Sequence, residues 1–128
     1  MLLVVDSNIV FKHIILESGE FFYDINKKFK SLLIELYKKF NIIMLSEFNV
    51  ELKHKFKFIL KDNNIPFDDI HFLRNGISYI ESKILILNTY FLGQFSLFDK
   101  NDIIFVIDND PSFKAYLSTH DIDCLRYI

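Results

Sequence analysis

The chain has 128 residues, 51 % of them hydrophobic and 25 % charged, with a formal net charge of −2. This excludes a disordered polymer, and no apolar run is long enough to span a membrane. The slight acidity excludes a protein that grips nucleic acid by charge alone, though an acidic site beside a basic rim would still be compatible with it. The length is that of one domain, residues 1–128. The lone Cys124 cannot form an internal disulfide, and the amino terminus lacks the basic region of a signal peptide, so a reducing cytoplasm is expected.

Leu2–Val5 is an apolar, β-branched run that predicts a buried strand ending in Asp6-Ser7-Asn8. A short helix is expected over Ile9–Leu16, stopping near Gly19. Ile25, Phe29, Leu32, Leu33, Leu36 and Phe40 recur at helical spacing, with Asp24 as a candidate N-cap. Ile42–Leu45 predicts a second buried strand, and Ser46 a cap for a helix carrying Phe48, Leu52, Phe56, Ile59 and Leu60. After the loop Asp62–Pro66, Phe67-Asp68-Asp69 is expected to open a helix with Ile70, Leu73, Ile77 and Ile80 on one face. Residues 81–92 could be strand or helix, and their length favours helix. Gly93–Asp102 is a connection, Ile103–Ile107 a strand, Pro111 to about Thr119 a helix, and Ile122–Leu125 a last strand. Strands alternating with helices predict a three-layer α/β/α domain with a mostly parallel central sheet.

In such a sheet the carboxyl ends of the strands lie on one edge, where open α/β sheets place their chemistry. Asp6 follows the first strand, Glu47 and Glu51 the second, and Asp108 and Asp110 the Ile103–Ile107 strand. Asp99 and Asp102 precede their strand and belong to the opposite edge. Several carboxylates in one crevice need a compensating cation, and an all-oxygen set suits Mg²⁺ or Mn²⁺. Such an ion can activate a water and clamp a phosphate.

Three segments resemble the motifs of PIN-domain ribonucleases. Leu3-Val4-Val5-Asp6-Ser7-Asn8-Ile9-Val10 resembles their opening strand, Asp and small residue. Ser46-Glu47-Phe48-Asn49-Val50-Glu51-Leu52 resembles the second motif, a Glu followed by Leu. Phe105-Val106-Ile107-Asp108-Asn109-Asp110-Pro111-Ser112-Phe113 resembles the late motif, with Asp108 in place of its Thr. The resemblance implies a PIN-like fold and a metal-dependent endoribonuclease. Asp6, Glu51, Glu81 and Asp110 would be catalytic; these four and Asp108 would hold Mg²⁺ or Mn²⁺; Asn8 would orient Asp6 or a bound water. Glu81 stands where the family has an Asp, which keeps open a catalytically degraded PIN-like binding or interaction module. RNA would be the substrate. An antitoxin protein and a homodimer are further implied partners, because small members of the family are often toxin halves of toxin–antitoxin pairs.

Each acid also has an ordinary reading. Asp6 and Asp108 or Asp110 could simply cap helices, while Glu47, Glu51 and Glu81 could be solvated acids of first helical turns. His13, His54, His71 and His120 show no ligand spacing. Lys27, Lys28 and Lys30, and Lys53, Lys55 and Lys57, read as solvated faces, some of which could meet RNA phosphates on the nuclease reading. Asp108-Asn109-Asp110 also fits the strand-Asp-x-Asp motif of haloacid-dehalogenase-type phosphatases, whose first Asp is the nucleophile. That motif belongs near the start of such folds, and only eighteen residues follow Asp110, too few for the remaining machinery, so this reading is rejected. A phosphoacceptor receiver domain wants an acidic pair after its first strand, which Asp6-Ser7 does not supply.

Overall fold

Leu2–Asp6 forms β1, buried at every position, at the centre of a five-stranded parallel sheet. In this computed structural model residues 1–92 and 103–127 are described. The sheet order is β5-β4-β1-β6-β7, from Asp69–Leu73, Asn41–Asn49, β1, Ile104–Ile107 and Asp123–Leu125. All four pairings are parallel. Met1 is tied to the amino edge, where its carbonyl accepts the Asn41 N–H at 3.0 Å and the next amide, Leu2 N–H, donates to Ile103 O at 2.9 Å.

The period-two alternation of β1 divides the core. Leu3 and Val5 join Phe29 and Leu33 of α1 (Lys27–Leu36) and Phe56, Ile59 and Leu60 of α2 (Lys53–Asp62) on one face. Leu2 and Val4 join Ile86 and Leu87 of α3 (Tyr79–Leu87) and Phe113 and Leu117 of α4 (Pro111–Ser118) on the other. Helices therefore cover both faces, which is what lets every central strand be apolar on both sides.

Three local expectations are corrected. The helix expected over Ile9–Leu16 is instead a single 3₁₀ turn, Ser7–Val10, followed by a hairpin of β2 (Phe11–Glu17) and β3 (Glu20–Ile25). Phe11, Ile14 and Ile15 have helical spacing, but they pair across the hairpin with Ile25, Tyr23 and Phe22. Ser18 and Gly19 close it with φ of 51° and 78°, the positive values a two-residue hairpin loop requires. The helix expected from Phe67 is instead edge strand β5, in which Ile70 and Phe72 are buried and Asp69, His71 and Leu73 are more open. Ser46 caps no helix, because β4 continues through Asn49; its hydroxyl accepts the Phe48 N–H at 3.1 Å.

The remaining elements follow the sequence. Asn26, rather than Asp24, caps α1 through Phe29 N–H. Residues 79–87 are helical, continued by a π turn over Asn88–Leu92. Pro111 occupies the first turn of α4, where its missing N–H costs nothing. The Gly93–Asp102 connection, with Asp99 and Asp102, lies outside the described residues.

Candidate functional site

The chain leaves β1 for β4 on one side, and β6 lies on the other, so the order of the sheet reverses beside β1. Strand connections diverge at such a switch point and leave a crevice at the carboxyl edge. Val5 pairs with Ile107, so Asp6 and Asp108, one residue further on, emerge side by side from adjacent strands. Asp110 follows as the N-cap of α4, its Oδ1 accepting Ser112 N–H at 2.8 Å. Asp6 likewise caps the 3₁₀ turn through Asn8 N–H at 3.0 Å. Capping and convergence are thus compatible, because one carboxylate oxygen can serve each.

The centre of the cluster is a residue not expected from the sequence. Lys83, 1 % exposed, rises from α3 and places Nζ 2.8 Å from Asp108 Oδ2, 3.6 Å from Asp6 Oδ2 and 3.8 Å from Asp110 Oδ2. The rings of Tyr79 and Phe113, 4.5 and 4.9 Å from the same nitrogen, wall it in. A buried ammonium would be prohibitively costly without such partners. The signal was present in the chain: Lys83 is the one charged residue between Ser82 and Leu87, in an otherwise apolar run.

Glu81 belongs to another face. Two residues along a helix turn roughly 200°, so Lys83 facing inward sends Glu81 outward. Glu81 is exposed, and its N–H donates to Ser78 Oγ at 3.2 Å in the Ser-x-x-Glu spacing of a capping box. Glu51 is exposed as well, in the 3₁₀ turn Val50–Leu52 after β4. Among the described residues, only Asp6, Asp108 and Asp110 bring a carboxylate within 4 Å of Lys83. Glu47 is half-buried and close enough for its charge to act on Tyr79.

Tyr79 closes the floor. Its hydroxyl lies 2.8 Å from both Asp6 Oδ1 and the Leu45 carbonyl, and its single proton serves one of them at a time. Burial first, and then the Asp6 charge, hold this phenol well above its usual value of 10.0, so it stays neutral. Burial and the Asp6 charge also push the Asp108 carboxyl up, against the pull of Lys83 and the Asp110 amide. Ser7, fully buried beside Asp6, keeps a hydroxyl without a hydrogen-bond partner.

On the solvent side Asp6 lines a cavity with Asn8, Lys12, Asn26, Asn109 and Tyr127. The Asn109 side chain clamps Tyr127, accepting its N–H and donating to its carbonyl, both at 2.7 Å. Asn8 lies at the mouth, bonded to Asp6 through its backbone N–H and not through its side chain.

The expected five-carboxylate metal centre does not assemble as a unit: Glu51 and Glu81 are apart, and no described group of three His, Cys, Asp or Glu is disposed to hold one ion. What remains is three carboxylates gathered around the Lys83 ammonium. Three carboxylates and one ammonium leave a formal charge of −2, and the Asp110 and Asp6 side chains reach solvent at 34 % and 11 % exposure. Mg²⁺ commonly uses only one or two carboxylates, completing its shell with water and substrate phosphate. No described helix is long and apolar enough to cross a membrane. Compared with protein-family models, curated proteins and solved structures, the chain finds no match.

Proposed function

We propose that the switch-point crevice hydrolyses phosphate esters, with the Asp6 carboxylate as nucleophile. The observation that carries this is Lys83, a buried cation aimed at Asp6 and Asp108 where the sequence alone predicts only acids. A carboxylate at the end of the first strand, a lysine beside it and further acids on the next strand are the parts that phosphoryl transfer through an aspartyl phosphate needs. This reading does not revive the strand-Asp-x-Asp motif at Asp108, rejected for the short chain that follows it; it starts from Asp6, at the end of the first strand.

In the proposed reaction Asp6 attacks phosphorus as the bond to the leaving oxygen breaks. Water then cleaves the acyl phosphate and restores the carboxylate. Lys83 offsets charge on the transferred group and holds Asp6 in place. Its neighbour Asp108, 1 % exposed, anchors the ammonium. Mg²⁺ or Mn²⁺ held by Asp6 and Asp110 would neutralise the excess acid and polarise the phosphoryl oxygens. Asn8 lines the mouth but has no proton to give, so the site favours leaving groups that are stable as anions.

RNA phosphodiester cleavage by a PIN-like domain is the second reading. It is favoured by the gathering of Asp6, Asp108 and Asp110 at one edge, and its antitoxin and dimer partners belong to it. One experiment separates the two: p-nitrophenyl phosphate and a quenched fluorescent RNA, each with Mg²⁺ or Mn²⁺, presented to wild type, Asp6→Asn and Lys83→Met. Release of p-nitrophenol that Asp6→Asn lowers by about 10³ or more, with an acid-stable phosphoenzyme in wild type, supports the first reading. Cleavage of the RNA alone replaces it with the second. Inertness toward both leaves the binding module.

A further inference from the structure

A second polar feature lies at the β5 edge. A cleft between α2 and α3 is lined by Lys53, Lys57, His71, Arg74 and Asn75, and no carboxylate is among the described residues lining it. Lys53 and Lys57 are one helical turn apart and face the same way, whereas Lys55 between them pairs with Glu20 at 3.4 Å. Neither Lys53, Lys57 nor Arg74 forms an ion pair among the described residues, although acids outnumber bases in the chain, 17 to 15. Like charges gathered without counterions make a locally positive potential that attracts an anion.

Beside the cleft, His71 and Tyr90 pack against each other. The rings of His71 and Tyr90 lie 4.7 Å apart, and Arg74 reaches Tyr90, donating to its hydroxyl at 3.1 Å. Register ties the cleft to the crevice: Leu45 pairs with Asp6 on one side and His71 on the other. His71 is therefore level with Asp6 and two strand spacings, about 10 Å, away. Three cations along an open groove match the successive phosphates of an extended single strand.

We propose that this cleft binds single-stranded nucleic acid, with Lys53, Lys57 and Arg74 on its phosphates. This site is separate from the carboxylate cluster and does not depend on either catalytic reading.

The test is fluorescence anisotropy with labelled oligo(dT) and oligo(U), over a salt series. The samples are wild type, the cleft variant Lys53→Glu/Lys57→Glu/Arg74→Glu, and the charge-matched control Lys28→Glu/Lys39→Glu/Lys61→Glu. Asp6→Asn is included as a catalytically silent form, and circular dichroism checks that each variant is folded. Expected are binding by wild type, Asp6→Asn and the control, at least tenfold weaker binding by the cleft variant, and a log–log salt slope reduced by about 2 for three lost contacts. Absence of binding by wild type, equal loss in the cleft and control variants, or full competition by inorganic polyphosphate at equal charge overturns the proposal. A folded cleft variant that still binds as wild type does so too. None of these readouts changes if the Asp6 chemistry is absent.

Discussion

The crevice and the cleft use charge in opposite ways. At the crevice, one ammonium and two of its carboxylate neighbours are nearly sealed from water, so each must be satisfied within the protein. At the cleft, Lys53 and Arg74 stay exposed and are satisfied by solvent. Buried charge costs stability unless its geometry is fixed, which makes the crevice preorganised and sensitive to substitution. Exposed charge costs little and is screened by salt, which makes the cleft adjustable.

The comparison breaks most readily at Lys83. Lys83→Met leaves three carboxylates facing an apolar wall, and urea denaturation should show a loss of about 3–5 kcal/mol at neutral pH. That loss should shrink in acid, as the carboxylates take up protons. An unchanged midpoint would mean that the crevice charges are as cheap as those of the cleft. Tyr79→Phe removes a hydroxyl donor shared between Asp6 and the Leu45 carbonyl and should cost about 1–3 kcal/mol by the same measurement.

Smaller effects sharpen the contrast. Ser7→Ala deletes a buried hydroxyl that has no partner, so thermal denaturation should show a gain of about 1 kcal/mol. Asp108 has its folded carboxyl raised above 3.8, so in that range the native protein holds a proton the unfolded chain has released. Its contribution therefore falls as pH rises through the window above 3.8, and Asp108→Asn should flatten that part of the stability–pH profile. Lys53→Ala should move stability by no more than about 0.5 kcal/mol in either direction.

The sheet was legible because its central strands are apolar on both faces: β1, β4, β6 and β7 stand out as short hydrophobic runs. The hairpin was not, because Phe11, Ile14 and Ile15 satisfy a helical spacing, and only cross-strand partners show which period is used. β5 was obscured in the same way: Ile70 with Leu73, Ile77 and Ile80 suggests a helix, whereas Ile70 and Phe72 carry the burial. At the site, the edge shared by Asp6, Asp108 and Asp110 followed from strand order. Lys83 was missed because the search weighed acids alone, although a lone charge in a buried run demands a partner. Glu81 lies only two positions from Lys83, and helix geometry separates them.

Met1 and Tyr127 are held at different places. Met1 is bonded into the amino edge of the sheet, whereas Tyr127 lines the crevice mouth and is clamped by Asn109. A purification handle fused ahead of Met1 would leave on the side away from the carboxylates. One attached beyond Tyr127 would leave from the crevice mouth and bring its histidines close to the site under assay. Metal titrations and turnover measurements therefore call for the amino-terminal fusion, or for a handle that is cut away first.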